Sequence, residues 1–310
     1  MLNKNKWLSI CIATYNRSEL LKRLYDSIIS ENCKGIEMII VNDGSTDETE
    51  KMIINWIDEK KVDINYYSQI NKGRSSALRK TILNAKGKYS IIMDDDDYFI
   101  KGALKRIKKS IIKSERSKYK NNKLAGICFL CLSENGEVIL DNFPNNHHIS
   151  NFYKLRNLEN INGDKKEIVK SFILKENIFP YFMNEKRVVT STLWNKVSYN
   201  YNCLCFNDAI VVKRYIKGGM SDSLLSLKAK SPNYQIEDSI VAINFPRKYS
   251  TIKTFKFSAI LWKYRIFGGR FNLNRIIRNR LPIVILSLPF GFILYVFDYI
   301  KLMSSNKLTE

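Results

Sequence analysis

Four consecutive carboxylates, Asp94 to Asp97, follow a short apolar run in the stretch YSIIMDDDDYF. Adjacent carboxylates repel, so such a cluster needs a compensating cation or full solvation. If the chain stays extended past Met93, Asp94 and Asp96 project to one side and Asp95 and Asp97 to the other. Two carboxylates on one side, with open positions left over, suit Mg²⁺ or Mn²⁺ bridging to a diphosphate. A cation there would stabilise charge gathering on a departing diphosphate. The competing reading is a solvated acidic turn, the usual fate of a charge run. The rest of the chain weighs against it. Its 310 residues hold 51 Lys and Arg against 30 Asp and Glu, a net charge of +21. Ten basic residues and one acid, Glu115, lie between Lys101 and Lys123, and ten basic residues and no acid between Ser239 and Phe297. This asymmetry points to an anionic partner: nucleic acid, a nucleotide or pyrophosphate group, or a membrane surface.

The elements that must position the acids read as alternating strands and helices. Hydrophobic residues at 45% and aromatics at 12% fill a real core and exclude wholesale disorder. Leu8–Ala13 is a buried strand running into Thr14-Tyr15-Asn16, and Ser18–Ser30 carries apolar residues at helical spacing. Glu37–Val41 is a second strand ended by Asn42-Asp43-Gly44. Ser45-Thr46-Asp47-Glu48 has the capping-box pattern and predicts a helix through about Ile57. Ile64–Tyr67 is a third strand, Ser75–Ala85 a helix closed by Gly87, and Tyr89–Met93 a fourth strand. Three alternations with short linkers predict a parallel sheet, whose ligands sit beyond the carboxyl ends of its strands. Thr14-Tyr15-Asn16, Asn42-Asp43 and Asp94–Asp97 all fall at such ends. A Gly-rich dinucleotide loop after the first strand is absent.

The runs SICIATYNR, IIVNDGSTDET, NKGRSSALRKTILNAKGKY and IIMDDDDYF together resemble the family 2 glycosyltransferases of GT-A fold, over roughly Leu8 to Ile107. The resemblance implies transfer of a sugar from a nucleotide diphosphate donor with inversion at the anomeric carbon, assisted by Mn²⁺ or Mg²⁺. It implies that Thr14, Tyr15, Asn16 and Arg17 line the nucleotide pocket, that Asp43 holds the base, and that Asn71 and Gly73 border the same pocket. Asp94 and Asp96 match the DxD metal motif, with Asp95 at the nucleotide sugar and Asp97 beside the donor sugar. This chain departs from the pattern in the third motif, Ala77-Leu78-Arg79. The arginine facing the diphosphate is displaced by one position, leaving Arg74, Arg79 or Lys72 to take its place.

Inversion needs a base for the attacking hydroxyl. The stretches FMNEKRVVTSTLWNKVS and NDAIVVKRYIKGGMSDS resemble, more loosely, a subgroup acting in bacterial surface-polysaccharide assembly, and offer Glu185 and Asp208 for that role. Asn162-Gly163-Asp164 leads into a helix-like Lys165–Leu174, and Glu134-Asn135-Gly136 marks a hairpin turn within Leu124–Leu140. The six cysteines lack a second CxxC, and with only His147 and His148 beside them they read as reduced packing residues, not a zinc site.

From Leu281 to Phe297 run seventeen uncharged residues, LPIVILSLPFGFILYVF, behind the basic RIIRNR. This approaches the ~20 residues of a spanning helix, but Pro282, Pro289 and Gly291 leave an interfacial hairpin equally open. Aromatics interleaved with Lys256, Lys263, Arg265 and Arg270 suit a headgroup layer. No signal peptide is expected, because Met1–Lys6 leads straight into a strand-like run.

The expected fold is an α/β, Rossmann-like nucleotide-binding sheet of GT-A type. It is expected to carry an α+β acceptor region and a C-terminal membrane-associating helical tail. The divisions are 1–123 for the nucleotide sugar, 124–238 for the acceptor and 239–310 for the tail. The partners implied are a UDP-sugar, with UDP-glucose or UDP-galactose favoured, and an undecaprenyl diphosphate-linked N-acetylhexosamine. The third is the inner-membrane lipid surface on its cytoplasmic face. Capsule or teichoic-acid assembly is the alternative pathway to O-antigen assembly. A basic nucleic-acid- or membrane-binding protein without enzymatic activity is the remote rival. Nucleic acid is not expected, since no RNA-binding signature accompanies the basic stretches.

Overall fold

The computed structural model describes residues 6–188, 190–214, 224–245 and 251–304. The chain divides into two compact units, Met1–Ile178 with Asn200–Tyr215, and Phe179–Tyr199 with Ile216–Glu310.

The first unit begins with β1 (Leu8–Thr14), α1 (Ser18–Ile29), β2 (Ile36–Asn42), α2 (Thr49–Glu59), β3 (Asp63–Ser68), α3 (Arg74–Asn84) and β4 (Tyr89–Asp94). It continues with β5 (Tyr98–Phe99), α4 (Ala103–Ser114), β6 (Leu124–Leu132), β7 (His148–Ser150), α5 (Phe152–Asn157), β8 (Lys165–Lys170), α6 (Ser171–Glu176) and β9 (Asn202–Val212). The strands form one sheet in the order β3-β2-β1-β4-β8-β6-β9-β5, with β7 also pairing with β9. β3, β2, β1 and β4 are parallel, as the alternation predicts. β1 and β2 are buried on both faces, which is why they read as nearly unbroken apolar runs. The register places Ala13 of β1 opposite both Val41 of β2 and Asp94 of β4. The carboxyl ends of three strands are thereby level, and the polar residues that follow them meet. Around this sheet Tyr25 stacks on Trp56 at 4.0 Å, and Phe129 on Phe206 at 5.1 Å between ring centroids.

Four local expectations give way to tertiary structure. Lys165–Lys170 is strand β8, antiparallel between β4 and β6, and only Ser171–Glu176 is helical. Ser45 does not cap α2. Its Oγ accepts from the backbone N–H of Asn16, while Asp47 accepts from the N–H groups of Thr49 and Ser18. Gly87 is not a left-handed helix cap. A Cβ there would lie 2.7 Å from the Leu8 carbonyl carbon and the Ser9 nitrogen, so glycine serves a close backbone approach. The hairpin at Glu134-Asn135-Gly136 exists but returns only briefly, through one bridge between Leu132 and Val138.

At the opposite end of the sheet from the acids, Glu37 is fully buried in β2. It accepts from Ser9 Oγ at 2.6 Å, Lys86 N at 2.7 Å, Lys6 Nζ at 2.8 Å and Asn65 Nδ2 at 3.1 Å. Burial opposes its charge, but the Lys6 and Ser9 hydrogen bonds outweigh that and hold the carboxyl below its usual range.

The second unit contains α7 (Ser191–Val197), α8 (Leu224–Ala229), α9 (Pro232–Ile243), α10 (Thr251–Ile266), α11 (Leu281–Leu286) and α12 (Leu288–Ser304). Ile236, Ile240 and Ile243 of α9 pack with Leu261 and Tyr264 of α10 and Val284 of α11. Among the described residues no single helix is long and apolar enough to cross a membrane. The apolar run breaks at Ser287, and Arg278–Leu286 and Leu288–Ser304 meet at a bend of 52°.

Glu37→Ala leaves the amide of Lys86 and the Ser9 hydroxyl without their acceptor and Lys6 without a buried partner. It should cost about 3 kcal/mol or more, read as a lowered urea midpoint at unchanged m-value.

Candidate active site

β4 stops at Asp94 because the chain turns there. Asp97 N donates to Asp94 O at 3.2 Å, so the tetrad wraps a tight turn before β5. The expected extended alternation of Asp94 and Asp96 against Asp95 and Asp97 therefore does not occur. Charge pairing governs their directions instead. Arg17 Nη1 donates to Asp95 Oδ1 at 2.9 Å and to Asp96 Oδ2 at 3.0 Å. Arg74, the first residue of α3, pairs with Asp94. Lys213, just past β9, sits 3.2 Å from Asp94 Oδ2 and 3.4 Å from Asp97 Oδ2, with Asp164 at 3.6 Å. Lys166, buried in β8, lies 3.1 Å from Asp97 Oδ2.

The four acids consequently differ in chemistry. Burial opposes charge on Asp94, yet Arg74, Lys213 and Lys166 outweigh it and hold the carboxyl well below its usual range. Burial pushes Asp95 up to about 6, against the pull of Arg17. Burial raises Asp96 too, and the negative charges of Asp94 and Asp97 add to it. Asp97 is 1% exposed, and among the described residues its Oδ1 has no hydrogen-bond partner. Burial lowers Lys213, but Asp94, Asp97 and Asp164 reverse this and keep it charged.

The neighbouring loops are fastened by short polar links. Asp43 Oδ1 accepts from Gln69 Nε2 at 2.7 Å and Lys72 N at 2.9 Å, and Oδ2 from Gly73 N at 2.8 Å. The Asp43 carboxylate thus holds the loop before α3. Gly44 (φ +81°) is needed where that loop crosses, since a Cβ would lie 2.9 Å from Asn71 N. Thr46 N donates to Asn16 Oδ1 at 2.7 Å, tying the loop after β1 to the loop after β2. Thr14 is buried and Tyr15 exposed. Thr14 to Arg17, Asp43, Gly73, Arg74 and Asp94–Asp97 therefore gather at one end of the sheet. Asn71 is exposed in the same loop, and Arg79 lies half-buried further along α3. Of the cations offered for the displaced arginine, Arg74 pairs with Asp94 of the tetrad.

The donor set fits a hard divalent cation. It is all oxygen, burial and like charge raise Asp96, and Asp97 Oδ1 is an orphaned buried acceptor, conditions that a bound cation relieves. Among the described residues no three His, Cys, Asp or Glu side chains form a ready-made cage, so a diphosphate would have to supply further ligands.

Glu185 belongs to the second unit and has a capping role there. Its Oε1 accepts from Asn233 N at 2.9 Å and its Oε2 from Tyr234 N at 3.0 Å, at the start of α9. Asp208 is exposed on β9. Sequence reasoning overlooked Lys166 and Lys213, which meet the tetrad. The end of an apolar strand, AIVVKR, is the signal that could have found Lys213. Asp238 of α9 accepts from Thr192 Oγ1 at 3.0 Å and Ser191 Oγ at 3.3 Å. Burial pushes its carboxyl up to about 6.

Residues 9–118 match the family model described as Glycosyl transferase family 2. The four-motif resemblance is supported over that stretch. The chain is similar to the uncharacterized glycosyltransferase RP339 of Rickettsia prowazekii, 39% identical over 92 residues, 30% of this chain and 28% of that protein. It is also similar to glycosyltransferase GlyA of Streptococcus pneumoniae, 32% identical over 105 residues, 34% of this chain and 15% of that protein. The aligned stretches thus span less than a third of these relatives. Among solved structures, S. aureus TarS 1–349 in complex with UDP-GlcNAc has a TM-score of 0.59 at 17% identity, covering 92% of this chain and 80% of that one. The mannosyltransferase PcManGT from Pyrobaculum calidifontis, in complex with GDP-Man and Mn²⁺, has a TM-score of 0.54 at 17% identity, covering 95% and 80%. These likenesses show the GT-A-like fold.

A carboxyl raised from an ordinary value of 3.8 to about 6 binds its proton more readily in the folded state, so its contribution to stability is present below about pH 4 and is lost as pH rises through 6. Asp238→Asn removes that loss. Between pH 4 and 7 the variant should gain stability relative to the parent by up to roughly 3 kcal/mol, read from paired urea titrations.

Proposed function

We propose that the protein is an inverting glycosyltransferase that moves one hexose from a nucleotide diphosphate sugar onto a lipid-linked acceptor. The observation that carries this reading is the acid tetrad, level with the ends of β1 and β2 in a family 2 domain and supplied with its own cations. The donors bound by structures of similar fold, UDP-GlcNAc and GDP-Man, support a nucleotide sugar. UDP-glucose or UDP-galactose is our choice of donor. An undecaprenyl diphosphate-linked GlcNAc or GalNAc is our choice of acceptor, with a β linkage, in O-antigen repeat-unit assembly on the cytoplasmic membrane face. The basic, apolar C-terminal stretch supports the lipid-linked acceptor.

In this reading the acceptor hydroxyl oxygen bonds to the anomeric carbon as the bond to the donor diphosphate breaks on the opposite side. Asp94 and Asp96 would hold Mn²⁺ or Mg²⁺, which supplies Lewis-acid stabilisation of the leaving diphosphate. Arg74 stands at the amino end of α3, where the helix dipole also favours an anion. Asp97 keeps one oxygen for a sugar hydroxyl, while its Oδ2 pairs with Lys166 and Lys213. Of the acids the sequence offers for the proton acceptor, Glu185 and Asp208, only Asp208 is free of a capping role. Glu185 is committed to capping α9, through the backbone N–H groups of Asn233 and Tyr234.

The test is a panel of nucleotide sugars incubated with the full chain, a synthetic lipid-diphosphate acceptor and Mn²⁺. One UDP-hexose should be turned over, and Asp96→Ala should lower kcat/KM by about 100-fold or more. Full activity of Asp96→Ala would refute the site.

A further inference from the structure

We infer that α11 and α12 lie in the plane of a bilayer, seated in one leaflet against anionic headgroups, and do not cross it. This rests on the membrane-face reading above and gives it a geometry.

α12 is fastened lengthwise to α10. Gly291, Tyr295, Asp298 and Leu302 recur at helical spacing and form its inner stripe. At Gly291 a Cβ would lie 2.4 Å from Trp262 Cβ, so the two helices touch there. Tyr295 stacks edge-on with Phe267 at 4.8 Å, and Lys263 Nζ pairs with Asp298 at 2.8 Å. Trp262 Nε1 donates to Val284 O at 2.7 Å, binding α11 to the same helix. α10 packs in turn on α9, whose Glu237 pairs with Lys196 and Arg275. For α12 to cross hydrocarbon it would have to drag α10 and this ionic layer along, which is costly. Its 17 residues reach about 26 Å, short of the ~30 Å core.

The outer face is apolar and open. Phe292, Phe297, Ile300 and Met303 are 54%, 68%, 60% and 53% exposed, and Leu286 of α11 is 69% exposed. Residues 251–304 carry nine Lys or Arg and one acid, Asp298, which Lys263 neutralises. A second copy docking here would bring like charge against like. Anionic lipid complements the charge and the apolar face together.

The experiment uses the full chain with sealed vesicles of phosphatidylcholine and phosphatidylglycerol. The protein should cosediment with them, and Phe297→Ser with Ile300→Ser should lower the partition coefficient about tenfold or more while the melting curve is kept. Asn279→Cys and Ser304→Cys, flanking the bent pair, should both react with an impermeant maleimide added outside, above the labelling of the parent. If Ser304→Cys reacts only after detergent opens the vesicles, the helix spans, and the in-plane inference falls while the membrane reading stands. If no vesicle binding occurs, both fall and the transferase reading is untouched. A stable dimer in solution that the Phe297 and Ile300 substitutions dissolve would also overturn the inference.

Discussion

Four adjacent carboxylates, each met by an opposite charge at hydrogen-bonding distance, are the constraint around which the first unit is organised. A turn of four aspartates at a strand end would be expelled into water if nothing answered it. Here Asp95 and Asp97 are buried and Asp94 and Asp96 half-buried, because Arg17, Arg74, Lys166 and Lys213 arrive from four different parts of the chain. The sheet order makes this possible. β8 and β9 bring lysines from one side, while the loop after β1 and the start of α3 bring arginines from the other. The fold and the candidate site are thus one electrostatic solution, and unpaired removal of any member strands a buried charge.

The same pairing explains how four chemically identical side chains come to differ. Asp94, flanked by two cations, stays ionised; Asp95, deeply buried with a shared partner, binds a proton far more readily. A site that needs a permanent anion beside a more adaptable one can obtain both from one residue type by placement alone. Asp43 serves the frame instead, holding two backbone amides and so setting the loop from which Arg74 projects.

The parallel half of the sheet was legible because doubly buried strands leave apolar runs and strand ends leave polar ones. The acids' geometry was not, since alternation assumes an extended chain and the Asp94–Asp97 turn cancels it. Strand β8 was obscured for a related reason. Lys165, Lys166 and Glu167 look like a solvated helix start, but Lys166 is drawn inward by Asp97, and burial pushes Glu167 up to about 8. Ser45 was misread because its capping pattern is real but local, and Asn16, 29 residues earlier, competes for the same hydroxyl. Lys213 stood in plain view at the end of an apolar strand. Only the topology shows that this strand ends beside the acids.

Lys213 lies 119 positions after Asp94 in the chain. On a ribosome adding about 5–20 residues per second, the tetrad emerges roughly six to twenty-four seconds before its last counterion exists. Through that interval the nascent acids repel one another with only part of their neutralising charge, and the parallel pairing of β6 with β9 must wait as well. Completion of this half of the sheet therefore waits on the synthesis of β9, and until then the acidic turn depends on the solvent and on the cations already made.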